Sequence, residues 1–173
     1  TLAVLGYADT GGRGIIAASE DTGAFSDYVF GDGMISEVTA GAISDGSWGA
    51  KPSPSAELQA AWEVVATAGG VDGTGVYSGE SYDAMALIIL AAQAAGSTDR
   101  AAIQAQVMNV ANAPGIQCAA GDLGTCLKYI SGGLPVDSVG ATGVELDAAG
   151  TPNGSYAEQE VIAGAFTTVT VHN

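Results

Sequence analysis

In Ser81-Tyr-Asp-Ala-Met-Ala-Leu-Ile-Ile-Leu-Ala-Ala-Gln-Ala-Ala-Gly-Ser-Thr-Asp99, the residues from Tyr82 to Ala95 are apolar almost all round. A helix of that kind is buried inside a layered domain instead of lying on its surface. Gly96 ends it, because glycine readily takes the left-handed conformation that closes a helix. Ser97 or Thr98 then caps a following helix, whose Ile103, Val107 and Val110 form an apolar stripe. The apolar run is broken by Gln93 and Gly96, short of the ~18 continuous residues of a membrane span.

Working outward, strands and helices alternate, which predicts a layered α/β fold. Thr1 to Leu5 reads as a buried strand ending at Gly6-Tyr7. Gly14 to Ser19 reads as a short helix closing at Gly23, and Asp27 to Phe30 as the next strand. Gly31-Asp32-Gly33 is a turn at that strand's C-terminal end, where ligands bind in open α/β sheets. Gly41 to Pro54 is rich in Gly, Ser and Pro and reads as a crossover. Ser53-Pro54 starts a helix, with Ser as cap and Pro at the first position. Leu58, Trp62 and Val65 line one face of that helix, and Gly69-Gly70 ends it. After Pro114 the chain reads as loop, with one short helix near Leu123 to Ile130. Gly143 to Asp147, Ser155 to Ile162 and Ala165 to Val171 read as strands, separated by turn signals at Ala149-Gly150, Asn153-Gly154 and Gly164. Trp48 reads as a crossover packing residue and Trp62 as a core residue.

The net charge of −15 arises from 19 acidic residues against 4 basic ones. Four cations cannot neutralise a run of phosphates, which argues against nucleic acid as a partner. An anionic membrane surface would repel the chain too. The acidity fits a soluble protein of a salty or extracellular setting. The chain opens inside an apolar run without Met, as a processed or truncated chain would. Cys118 and Cys126 are eight positions apart in a Gly-rich stretch. As a disulfide they would close a small loop worth ~2–3 kcal/mol; two free thiols are the alternative. A metal would need two further ligands, and the single histidine, His172, is near the terminus, so no metal site or cofactor is expected.

Three stretches, taken together, resemble the type I periplasmic binding proteins of the branched-chain amino-acid class. Ser81-Tyr-Asp-Ala-Met-Ala-Leu, running into Ala95-Gly-Ser-Thr-Asp99, looks like that family's helix and cap. Gly132-Gly-Leu-Pro-Val-Asp-Ser-Val-Gly-Ala-Thr-Gly143 is similar to its "G…DYVGASG" segment. Val144-Glu-Leu-Asp-Ala-Ala-Gly150 with Gly154-Ser-Tyr156 is similar to its "FDENGD…Y" hairpin. Val4-Leu-Gly-Tyr7 and Phe30-Gly-Asp-Gly33 fall in the matching order. The resemblance implies a Venus-flytrap of two three-layer α/β lobes, of which this chain would be the C-terminal half. Residues 1–40 would belong to the second lobe and 41–52 to an interlobe crossover. Residues 53–157 would be part of the first lobe, and 158–173 the return crossover, near Glu158 to Val161, and the last second-lobe strand. The family's carboxylate-binding donors would lie in a missing N-terminal part.

No Gly-x-Ser-x-Gly elbow, no Walker loop and no nucleophile with its base can be read, which argues against an enzyme. An amino-acid ligand needs an acceptor for its ammonium group and an apolar wall. Asp32 lies between two glycines past a strand and matches the family's ammonium acceptor; the alternative is a turn aspartate bonded to its own backbone. Tyr7 and Tyr77 match pocket aromatics, against ordinary packing roles, and Glu80 is a candidate at the cleft edge. Tyr82 and Asp83 are read as structural, the Asp favouring the helix N-terminus. The expected function is an extracytoplasmic solute-binding component of an ATP-driven (ABC) importer. It would bind a branched-chain amino acid or small amide in the interlobe cleft, and work with permease subunits and a missing N-terminal half or another copy of the chain. The alternatives are a ligand-sensing domain of the same fold or an assembling fragment without ligand. The expected location is periplasmic or extracellular, with a lipid anchor on the full-length form as one arrangement.

Overall fold

Val4, Tyr28 and Phe30 alternate with more exposed neighbours, and that period of two builds the first sheet. A computed structural model describes residues 1–36 and 45–172. The chain divides into two compact units, Thr1–Pro52 with Ser155–Asn173, and Ser53–Gly154. Of the segment read as a crossover, Gly41 to Ser44 lie outside the described residues.

In the first unit, strand β1 (Leu2–Val4) leads through a 3₁₀ turn (Ala8–Thr10) into helix α1 (Gly12–Thr22). β2 (Tyr28–Phe30), β3 (Trp48–Pro52), β6 (Tyr156–Ile162) and β7 (Ala165–His172) complete a five-stranded sheet in the order β1-β2-β3-β6-β7. β1, β2 and β3 run parallel, with Val4 beside Phe30 and Phe30 beside Gly49. β6 is antiparallel to β3 and β7. Val4, Ile16, Tyr28, Phe30, Met34, Ile35 and Val161 form the core. Phe166 meets Phe30 edge-on at 6.1 Å between ring centroids. α1 starts two residues before the expected Gly14 and ends at Gly23, whose φ of 63° closes the helix as read. Trp48 to Pro52, read as crossover, form β3, and Trp48 is half exposed. Glu158 to Val161, where the return crossover was expected, lie within β6.

The second unit carries α2 (Ala56–Ala68), α3 (Ser78–Ala95), α4 (Arg100–Ala111) and α5 (Leu123–Ser131) with the parallel pair β4 (Ile116–Ala119) and β5 (Val136–Gly140). Its main core joins Leu87, Leu90 and Ala91 of α3 to Val110, Ala111, Cys118, Cys126, Val136 and Val144. A smaller cluster holds Trp62, Ala66 and Ala141, with Tyr82 tilted against Trp62 at 5.0 Å between centroids. Cys118 and Cys126 are disulfide-bonded, with Cα atoms 6.2 Å apart. The bond ties β4 to α5.

Several local readings are corrected. α2 is capped by Ser55, whose Oγ accepts from Leu58 N–H at 3.3 Å, and not by Ser53. α4 is capped by Asp99, whose carboxylate accepts from Ala101 and Ala102 N–H at 3.0 and 3.1 Å. Ser97 Oγ accepts instead from Asp99 N–H. α3 is not buried all round: Met85, Ile88 and Ile89 are exposed. The loop expected after Pro114 contains β4. Gly143 to Asp147 makes a single bridge, Leu146 with Pro152, in place of a strand. No helix among the described residues is long and apolar enough to cross a membrane.

Candidate functional site

The parallel strands β1 and β2 place their C-terminal ends side by side, and one candidate follows each end. Tyr7 comes three residues after β1, and its side chain is largely exposed. Asp32 opens a 3₁₀ turn (Asp32–Met34) after β2, where Met34 N–H donates to Gly31 C=O at 3.0 Å and Ile35 N–H to Asp32 C=O at 3.0 Å. The backbone is thereby turned without help from the Asp32 carboxylate. That half-buried carboxylate has no hydrogen-bond or ion-pair partner among the described residues. The alternative reading, a turn aspartate bonded to its own backbone, is not what the geometry shows.

Gly33 holds the two candidates together. A Cβ at this position would lie 2.7 Å from Tyr7 Cδ1 and 2.5 Å from Gly6 C=O. Only glycine lets the Tyr7 ring lie against the Asp32 turn. Leu5, Tyr7 and Ile15 are exposed apolar neighbours in a shallow groove that runs from β1 along the start of α1. This part of the unit therefore presents a carboxylate without a partner among the described residues, a phenol ring and exposed aliphatic side chains. Those are the groups that an ammonium with a small apolar side chain would meet.

Tyr77 and Glu80 belong to the other unit. Tyr77 precedes α3 with φ of 64°, an uncommon conformation for a residue with a side chain, and is partly exposed. Its backbone is held by Ser81 N–H donating to Tyr77 C=O at 2.9 Å. Ser78 Oγ, next in sequence, accepts from Trp62 Nε1–H at 3.1 Å and reaches Asp72 C=O at 3.0 Å. Glu80 is half-buried in the first turn of α3. The structure thus places Tyr7 against the Asp32–Met34 turn in one unit, and Tyr77 and Glu80 at the start of α3 in the other.

Asp83 has a different task from the helix-start role expected of it. It sits 3% exposed, and its carboxylate accepts from Ala141 N–H at 2.7 Å, Thr142 N–H at 2.9 Å and Thr142 Oγ1–H at 2.6 Å. It fastens the chain leaving β5 to the second turn of α3. Burial raises its pKa, opposed by the bonds from Thr142 and Ala141. Tyr82 Oη accepts from Gly121 N–H at 3.0 Å, a second tie that sequence reasoning did not supply. No group of three or more His, Cys, Asp or Glu suited to a metal occurs among the described residues.

Comparison of the sequence with protein-family models and with curated proteins gives no match. Among solved structures, the leucine-binding protein LivK of Thermotoga maritima is similar, with a TM-score of 0.66 and 18% identity. The likeness covers 99% of this chain and 44% of that one, so the chain spans less than half the length of this neighbour. The chain has the fold of a type I periplasmic binding protein, in part.

Proposed function

We propose that these residues form part of an extracytoplasmic solute-binding protein that serves an ATP-driven importer, with a small amino acid or amide as ligand. The observation that carries this reading is the Asp32 carboxylate, without a partner among the described residues, on a turn whose Gly33 packs against the Tyr7 ring at the C-terminal ends of β1 and β2. A carboxylate held free by its own backbone turn is ready to accept from an ammonium or amide N–H. Charge-assisted hydrogen bonds of that kind are about twice as strong as neutral ones. The ring and the exposed Leu5 give an aliphatic side chain its wall. The fold shared with a leucine-binding protein supports the same ligand class. Tyr77 and Glu80 are further contacts in this proposal, and the permease is the partner that would receive the liganded form.

Ligand that binds only the native state raises its melting temperature. The full-length gene product is therefore expected to melt higher with leucine, isoleucine, valine or a small aliphatic amide. Asp32→Ala is expected to abolish the response to amine-bearing ligands, a loss of at least a hundredfold in affinity by calorimetry. A panel without any response would overturn the reading. Unchanged affinity in Asp32→Ala would remove Asp32 from the site.

A further inference from the structure

Asn153 is followed by Gly154, and no other Asn-Gly pair occurs among these residues. The pair lies in an exposed segment between two fixed points. On one side Leu146 bridges Pro152, and Asn153 N–H donates to Glu145 C=O at 2.9 Å. On the other, Tyr156 opens β6, paired with Pro52 and His172. Between them the Asn153 side-chain amide and the Gly154 N–H have no hydrogen-bond partner among the described residues. Gly154 ends the second unit, and Ser155 returns the chain to the first. The other described asparagines are engaged. Asn112 Nδ2–H donates to Leu146 C=O at 2.8 Å, and its Oδ1 accepts from Leu146 N–H at 2.9 Å. Asn109 Nδ2–H donates to Gln106 Oε1 at 3.0 Å. They precede Ala113 and Val110, whose Cβ atoms crowd the backbone nitrogen that follows each asparagine.

We propose that Asn153-Gly154 is a self-modifying site, which converts to aspartate and isoaspartate with loss of ammonia. The Gly154 nitrogen gives its proton to a solvent base and bonds to Asn153 Cγ. The Cγ–Nδ2 bond breaks, the leaving nitrogen takes a proton from solvent, and ammonia departs from a five-membered succinimide. Glycine favours this step because no Cβ shields its nitrogen or restricts the approach. Water then adds to one of the two ring carbonyls. Breaking the bond from Gly154 N to Cγ restores the ordinary main chain with an aspartate. Breaking the bond from Gly154 N to the main-chain carbonyl carbon leaves isoaspartate, with the side-chain methylene now in the main chain. The sum is an amide plus water giving a carboxylate plus ammonium, with nothing oxidised or reduced. Either product adds a negative charge to a chain of net charge −15. Isoaspartate also inserts a main-chain atom between the Glu145 anchor and the first pair of β6. Asn153-Gly-Ser155 is a glycosylation sequon as well. Sugar transfer needs a donor and an enzyme, whereas ring closure needs only the two unengaged groups and water.

The test uses the folded full-length gene product, made in a host without asparagine glycosylation and held at pH 8 and 37 °C. Peptide mass spectrometry follows each asparagine over days. Asn153 is expected to be lost at least tenfold faster than Asn109 and Asn112, with isoaspartate in excess over aspartate. The rate is expected to rise from pH 7 to pH 9, because the attacking nitrogen must first lose its proton. Gly154→Ala is expected to slow the loss at least tenfold. Asn153→Gln, whose longer side chain closes the ring poorly, is expected to remove the time-dependent shift to later elution on anion exchange. Asn153 surviving as long as Asn109 and Asn112, or an unchanged rate in Gly154→Ala, would overturn the proposal. The step involves no ligand, so its failure and that of the solute-binding reading are separate results.

Discussion

Asp83 shows how one carboxylate can hold two distant pieces of chain. Its three donors come from Ala141 and Thr142, 58 and 59 positions later in the sequence. Gly140, just before them, has φ of 59°, and any side chain there would collide with the Asp83 carboxylate. Sequence reading singled out Tyr82-Asp83 as structural but gave the aspartate a local task at the helix end. Its partner could not be read, because backbone N–H groups have no signature in the sequence. Asp83→Asn keeps the shape but turns one acceptor into a donor that faces an N–H. A buried unsatisfied group costs ~1–3 kcal/mol, and the variant is expected to lose that much in urea unfolding at pH 7. Burial raises the folded pKa of Asp83 above its unfolded value. Its own contribution to stability is therefore lost as pH rises through the folded pKa, and returns as pH falls toward the ordinary carboxylate range. The stability difference between the wild type and Asp83→Asn is expected to widen as pH falls from neutrality toward the ordinary carboxylate range. A difference that narrows would contradict the direction of the shift.

Helices were more legible than strands, and their ends less so than their bodies. α3 was readable because its apolar run and Gly96 obey helical rules, and Gly96 closes it at φ of 58°. β3, β4 and β5 escaped because Trp48-Gly-Ala-Lys-Pro52, Ile116-Gln-Cys-Ala119 and Val136-Asp-Ser-Val-Gly140 are short and mix glycine or polar residues into the apolar alternation. Their strand form is set by pairing with distant partners, as Trp48 with Glu160 and Ile116 with Val136. Asp45 is a related case: its carboxylate accepts from Ala163 and Gly164 N–H at 3.0 and 3.1 Å and pins the β6–β7 turn from more than a hundred residues away. Within the candidate site, strand ends point to Tyr7 and Asp32, but the role of Gly33 in bringing them together arises from contacts with Gly6 and Tyr7, distant in the sequence. At α2 the sequence offers Ser53 and Ser55, and only the second aims its hydroxyl at a free N–H. Ser55→Ala is expected to cost ~0.5–2 kcal/mol, the ordinary value of an N-cap, while Ser53→Ala stays within ~0.5 kcal/mol of wild type. Asp99→Ala belongs with Ser55→Ala, since its carboxylate satisfies two orphan donors of α4. Chemical denaturation of the three variants checks this, and equal losses at Ser53 and Ser55 would contradict the observed cap.

At the scale of the whole chain, charge decides how the fold responds to solvent. Nineteen acidic residues face four basic ones. Among the described residues Arg13 pairs with Asp9 at 3.9 Å, and His172 Nε2 lies 3.2 Å from a Glu158 carboxylate oxygen, both exposed. Such surface pairs are worth ~0–1 kcal/mol each, so they offset little of the repulsion among the remaining carboxylates. A net charge of −15 on the folded chain is relieved when the chain expands, and that favours unfolding. Salt acts on the same balance from the other side. Between 0.01 and 0.1 M the screening length falls from about 30 Å to about 10 Å, which removes repulsion across the molecule but leaves contacts at bonding distance largely intact. Melting temperature is therefore expected to rise over this range by several degrees, where ~1 kcal/mol corresponds to ~2–4 °C for a chain of this size. Sodium chloride, potassium chloride and tetramethylammonium chloride should act alike, because screening depends on ionic strength and not on a cation site. A rise confined to one cation would point to specific binding, and a flat or falling curve would show that the acidic surface does not destabilise the native state.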